Sequence, residues 1–349
     1  FRARFGNILG WFCRLFLAMA SRRGFFIALC LAQLLYSCRG LRSHRIVSAA
    51  RLRRTACRAV SAENAAESAT QLQQGDVVTV VGCTGNVGRL VTARLASMGS
   101  FSVRGVCRSL EKGEACFDER LRSKPEDSPG SIRLFEGDTR SENPGLREAL
   151  TGASAVIVTT GTTAFPTKAW AGGNTPENVD NLGVKNVIDT WISANADGPG
   201  SAALKRFVLM SSVGVTRRAQ FPFVILNLGG VLNAKAAAEE YLMEAAAGKG
   251  FDYTIVRPGQ LFGGPYDNNY YLGTLLKLDK DANSQNIVVE TGDKLLGDTL
   301  RSTTAEALAT ALELAETRNT DFVVVNKNGP STSEEEFRAL FKSPSFFGE

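Results

Sequence analysis

The apolar positions of this chain fall into two alternating periods. Val77 to Val81 is a short apolar, β-branched run of the kind buried on both faces of a parallel sheet. Beyond it, Val87, Leu90, Val91 and Leu95 recur at helical spacing. Further strands are predicted at Phe101–Cys107, Ile132–Glu136, Ala153–Thr160, Lys205–Val215 and Tyr253–Gly259. Between the fourth and fifth, Asn174 to Ala194 reads as largely helical, with Val184, Val187, Ile188 and Trp191 on one buried face. A helix is expected from Asn233 through Lys235 to Ala245, another from about Thr304 to Thr317, and a closing one over Glu334–Phe341. Leu261 to Leu275 reads as a Gly-, Asn- and Tyr-rich loop. Alternating strands and helices imply an α/β fold with a doubly wound parallel sheet. The expected body runs over 76–342, with a small C-terminal substrate lobe from about residue 260.

The first strand-to-helix turn carries the most specific chemistry. Gly82, Gly85 and Gly88 are spaced three apart, with Thr84, Asn86 and Val87 between them. A strand, a glycine turn and a helix start aim backbone N–H groups and a helix dipole at one spot, where a pyrophosphate fits. Gly82 permits the turn, Gly85 admits the phosphates, and Gly88 lets the helix pack on the strand. This is the arrangement of the NAD(P)-binding Rossmann fold, in which ligands lie at the carboxyl ends of the strands.

Other strand ends agree. Enzymes specific for NAD usually place an acid after the second strand; here Arg108 stands there, which suits the 2′-phosphate of NADP unless it is a solvated surface residue. Asp138 and Thr139 follow the third strand, where an aspartate commonly approaches the adenine edge; the alternative is an ordinary turn aspartate. Thr160 and Gly161 end the fourth strand with side chains small enough for a ribose to come close. The expected cofactor is NADP, with NAD possible.

Composition changes the picture at the amino end. The chain has 349 residues and a net charge of +5, but its first 60 residues hold twelve arginines and no acid. Residues 61–349 carry 28 basic and 35 acidic side chains, a balance that argues against nucleic-acid binding. Met19 to Gly24 is basic, Phe25 to Cys38 is an apolar run of signal-peptide length, and Arg39 to Val60 is Arg/Ser/Ala-rich. We read 1–60 as a two-part leader, signal peptide then transit peptide, addressed to the plastid stroma, with 61–75 a linker. The alternatives are a mitochondrial presequence, a secreted protein or a retained anchor. No stable membrane span is expected in the mature chain.

Four of the seven cysteines (13, 30, 38 and 57) and the single histidine, His44, lie in the leader. The body therefore lacks a histidine for acid–base or Ser-His-Asp chemistry, and no metal site is expected. Cys83 and Cys107 read as small buried residues.

The chain resembles the atypical short-chain dehydrogenase/reductase superfamily from Val77 to about Phe341. The resemblance rests on Gly82/Gly85/Gly88, Arg108, Gly137-Asp138, Ser211-Ser212, Lys235 and the run from Tyr253 to Gly259. It is more specifically similar to uncharacterised NAD(P)-binding Rossmann-fold proteins of plant chloroplasts, in the strings 160–166, 174–180, 211–215, 264–266 and 292–297. The resemblance implies that Lys235 faces the nicotinamide ribose, that Ser211 or Ser212 orients a substrate carbonyl, and that Pro258 borders the cofactor.

One departure stands out. The superfamily's proton-donating tyrosine lies four residues before the lysine, and that position is Val231. Tyr241 is about 240° further round the helix from Lys235 and faces away. Tyr253 starts a strand, which leaves Tyr266, Tyr270 and Tyr271 as loop candidates. Two functions are expected in competition: an NADPH-dependent reductase of an unknown metabolite, or a non-catalytic assembly or regulatory factor that binds the nucleotide. The substrate or protein partner is not specified by these residues.

Overall fold

The computed structural model describes residues 70–125, 127–196, 200, 202–263 and 285–348. The expected leader, residues 61–69 of the linker, and Tyr266, Tyr270 and Tyr271 lie outside the described residues.

The strands β1 (Val77–Val81), β2 (Ser102–Cys107), β3 (Ile132–Glu136), β4 (Ala155–Val158), β5 (Arg206–Met210) and β6 (Asp252–Pro258) stand in the spatial order 3-2-1-4-5-6, all parallel. Beyond β6 the sheet continues with β10 (Thr320–Lys327), β9 (Asp298–Leu300) and β7 (Gln260–Phe262), while β8 (Asn286–Thr291) pairs antiparallel with β10. The described strands of the segment expected as a C-terminal lobe thus belong to the same sheet. The chain reverses its direction of winding between β1 and β4, the place where such sheets bind ligands.

Strand residues alternate between two buried layers. Val78, Val80, Val103, Ile157 and Val208 face α1 (Gly88–Met98) and α8 (Arg301–Glu313), with Leu95, Leu308 and Leu312 at 0–2% exposure. Val81, Val106, Val156, Val158 and Leu209 face α4 (Pro144–Leu150), α5 (Gly183–Ala194) and α7 (Val231–Lys249). Helices on both faces explain why both sets of alternating strand positions are largely apolar. Short helices α2 (Leu110–Cys116), α3 (Glu119–Arg122) and α6 (Phe223–Leu226) complete the body, and α9 (Glu334–Leu340) closes it.

Three expectations about elements are corrected. β5 ends at Met210; the Ser211 and Val213 amides still bond the Val256 and Pro258 carbonyls (2.8 and 2.9 Å), and the Asp293 carboxylate then accepts the Gly214 and Thr216 amides (2.8 and 2.9 Å) in the turn that follows. The stretch 174–194 does not start as an α-helix. It opens with a widened π-turn, Glu177–Leu182, before α5. The helix expected near 304–317 begins at Arg301 and ends at Glu313.

Candidate functional site

The glycine turn is built by close contacts. Gly82 has φ +86°, and a Cβ there would lie 2.9 Å from Thr160 Cγ2. A Cβ on Gly88 would stand 2.1 Å from the Gly82 carbonyl oxygen and 2.7 Å from Thr159 Oγ1. Thr159 donates its hydroxyl to the Val81 carbonyl (2.9 Å), which locks the ends of β1 and β4 together. Gly85 would meet only the Gly82 oxygen, at 3.2 Å, so the outer side of the turn is open. No side chain caps α1 and no acid lies in its first turn, so its terminal amides and dipole remain available to an anion.

On one side of this cradle lie the ends of β2 and β3. Arg108 donates from Nη1 to Asn174 Oδ1 (2.9 Å). Asp138, expected at an adenine edge, is forked by Arg140, whose Nη2 is 2.5 Å from Oδ2 and whose Nε is 3.0 Å from both carboxylate oxygens. The Arg140 bonds, helped by the field of Arg108, hold the Asp138 carboxyl below its usual range. Arg140 also donates to the Gly172 carbonyl and Asn174 to the Ala171 carbonyl (2.7 Å), so segment 171–174 is tied across both strand ends. Thr139 is packed inward, and its carbonyl accepts from Asn186 of α5 (3.0 Å).

On the other side, Thr160, Asp180, Ser211 and Lys235 line one small cavity. The Thr160 and Ser211 hydroxyls are buried and have no partner. Lys235 Nζ lies 2.8 Å from Asp180 Oδ1. That contact is an ion pair rather than a directed hydrogen bond, because Oδ1 has no aligned donor. The two adjacent serines differ: Ser212 turns its hydroxyl to the Val213 carbonyl (3.2 Å), and only Ser211 faces the cavity. Pro258 ends β6, and its carbonyl accepts from the Val213 amide (2.9 Å). Val231 is 5% exposed, packed with Val215, Phe223, Leu232 and Ala236. Tyr241 donates to Asp189 on α5 (2.6 Å), a bond that pushes the phenol up to about 12.

These residues fit a nicotinamide dinucleotide. The glycine turn is a cradle that side chains would fill, and two orphaned hydroxyls with an ammonium match the donors and acceptors of a ribose and carboxamide. Residues 82–315 match the family model described as NAD(P)H-binding. The chain belongs to the NAD(P)H-binding family. Among relatives of this family member, Protein TIC 62, chloroplastic, of Arabidopsis thaliana is 28% identical over 256 residues, which cover 69% of this chain and 37% of that protein. The chain therefore spans well under half of that relative. Sanguinarine reductase of Eschscholzia californica is 28% identical over 299 residues, covering 76% of this chain and 94% of the relative. A putative NAD-dependent epimerase/dehydratase from Bacillus halodurans shares the fold with TM-score 0.53 and 21% identity, over 76% of this chain and 99% of that one.

Sequence reasoning missed Asp180, Thr162, Asn174 and Arg140. Asp180 closes the string 174–180, but nothing local links it to a lysine 55 positions on. Arg140 stands two residues after Asp138, a spacing that does reveal a side-chain fork across a turn. A larger cleft of about 490 Å³ opens beside the amino end of β1, where Arg104 and Arg133 are already paired with Asp127 (2.9 Å) and Glu148 (3.1 Å). Among the described residues no acid, cysteine or histidine cluster suits a metal, and no helix is long and apolar enough to cross a membrane.

Proposed function

We propose that this chain is an NADPH-preferring reductase-type protein of the plastid. The observation that carries the reading is the single cavity at the ends of β4 and β5, where Lys235 meets the unpartnered hydroxyls of Thr160 and Ser211. In this reading the pyrophosphate lies on Gly82–Gly88, and Arg108 takes the 2′-phosphate. A bound NADPH supplies the hydride. Lys235 Nζ holds the ribose hydroxyls, Ser211 Oγ donates to the carbonyl oxygen of the acceptor, and Thr160 Oγ1 bonds the carboxamide or ribose edge. The proton for the reduced oxygen comes from water or from Lys235 Nζ, because Val231 offers none. A positioned acid contributes ~10²–10⁴-fold in rate, so turnover on ordinary carbonyls is slow. The relative named as a reductase supports the reaction class, and the chloroplastic relative and the Arg-rich leader support the compartment.

A second reading, a non-catalytic factor that reads the nucleotide, is favoured by the burial of Val231 among apolar side chains and by the engagement of Tyr241 with Asp189. Steady-state oxidation of NADPH with aldehydes, ketones and quinones separates the two. Slow turnover above the protein-free rate on any of them supports the enzyme, and turnover approaching ~10 per second would show that a proton donor other than the missing tyrosine is in place. Tight NADPH binding with no turnover above the protein-free rate supports the factor.

A further inference from the structure

We propose that Asp180 is the positioning residue of this site: it holds the Lys235 ammonium at the backbone of Thr160–Thr162, and so sets the grip on the nicotinamide half of the nucleotide. The inference rests on the reading of Lys235 given above.

Four observations carry it. First, the Asp180 side chain is fully buried, and Lys235 is its ion-pair partner at 2.8 Å, itself 12% exposed. A buried carboxylate of this kind is stable only when compensated. Second, the other carboxylate oxygen is fixed. Oδ2 accepts the Thr162 amide (3.1 Å) and the Thr162 hydroxyl, which ties Asp180 to the loop that follows β4. Third, the pair brackets Gly161: a Cβ there would lie 3.3 Å from Asp180 Oδ1 and 3.5 Å from Lys235 Nζ. Fourth, Asp180 is presented by the π-turn Glu177–Leu182, in which the Gly183 amide reaches back to the Asn178 carbonyl. Such a turn admits one extra residue and changes the direction of the side chains it carries. It is wedged in place, because a Cβ on Gly183 would meet Thr139 Oγ1 at 2.9 Å.

The lysine stem has four rotatable carbons and a mobile head. A fixed carboxylate at one side confines that head without using all three of its N–H donors. The pair at 2.8 Å takes at most one of the three ammonium N–H groups, so the others stay available to ribose hydroxyls beside the same cavity. Asp180 touches neither hydride donor nor acceptor in this arrangement. It acts through Lys235.

The test uses the purified chain with Asp180→Asn, Asp180→Glu and Lys235→Met. Two affinities are measured for each: NADPH by its fluorescence, and 2′,5′-ADP, which lacks the nicotinamide half, by calorimetry. Asp180→Asn is expected to weaken NADPH by roughly 10- to 100-fold, the range for one charged hydrogen bond, and to leave 2′,5′-ADP within about twofold. Asp180→Glu should recover part of the loss. The double variant Asp180→Asn/Lys235→Met should bind NADPH no more weakly than Lys235→Met alone. Unchanged NADPH affinity in Asp180→Asn, or equal loss of both ligands with an unchanged melting temperature, would overturn the proposal. Failure of the parent reading looks different: Lys235→Met would then leave NADPH affinity at the unmodified value while Asp180→Asn does not.

Discussion

Gly88 sits directly beneath Gly82, so close that a Cβ on Gly88 would stand 2.1 Å from the Gly82 carbonyl oxygen. No rotamer relieves this clash, because both atoms belong to the backbone frame. Gly88→Ala is therefore expected to push α1 off β1. Overpacking of this kind costs about 1–3 kcal/mol or more, read as a lower melting temperature. NADPH affinity should fall more than tenfold, because the displaced helix no longer aims its amides at the pyrophosphate. Unaltered binding in a fluorescence titration would contradict that role.

Arg108 is the residue proposed to choose between the two nucleotides. It is exposed, and its hydrogen bond to Asn174 (2.9 Å) can be exchanged for one to a phosphate. Arg108→Ala should weaken NADPH by roughly 10- to 150-fold and leave NADH nearly unchanged. Equal losses for both nucleotides would assign Arg108 to the fold instead.

Val231 occupies the usual tyrosine position, yet it is buried against Val215, Phe223, Leu232 and Ala236. Simple restoration of the phenol is therefore expected to fail. Val231→Tyr should lower stability by about 1–3 kcal/mol through overpacking, and it should not raise carbonyl reduction. A variant that melts as the unmodified chain does and reduces carbonyls faster would show that this pocket can open.

Ser211 and Ser212 give a paired test. Ser211 faces the Lys235 cavity with a free hydroxyl, and Ser212 bonds its neighbour's carbonyl at 3.2 Å. Ser211→Ala should reduce any NADPH-dependent turnover, while Ser212→Ala should leave it within about twofold, since an exchanged surface hydrogen bond is worth little net. The reverse order of effects in a steady-state assay would reassign the two.

Asp138 carries a pH signature. The Arg140 fork holds its folded pKa below the unfolded value near ~4. A depressed carboxyl stabilises the fold above the unfolded pKa, and that contribution is lost as pH falls through the folded value. Asp138→Asn should thus narrow the difference in melting temperature between neutral pH and about pH 3. An unchanged acid limb would mean that the pair persists in the unfolded chain or carries no net stabilisation.

Local pattern revealed much, though not the Arg140 fork two residues after Asp138. The limits of β1 and β3, the helical face of Val184, Val187, Ile188 and Trp191, and the phosphate cradle are all written in contiguous residues. A buried parallel strand must be apolar, and a backbone that passes 2.1 Å from a would-be Cβ must be glycine. The position of Arg108 just past β2 was readable for the same reason, since a strand's last residues lie at the carboxyl edge of the sheet.

Contacts between distant segments were not readable. Asp180 and Lys235 are separated by 55 positions, and they meet only because a π-turn, the loop after β4 and α7 converge on Gly161. The choice of Ser211 over Ser212 depends on how the chain leaves β5, in a turn that Asp293 ties down from 79 residues beyond Gly214. The fate of Asp138 depends on which of its neighbours reaches it first, and Arg140 does. Sequence alone determined the fold and the close-packed glycine turn, because both follow from periodicity and backbone clearance. The pairing of buried charges and the aim of each hydroxyl were decided only by tertiary structure, because they depend on register between elements that share no local pattern.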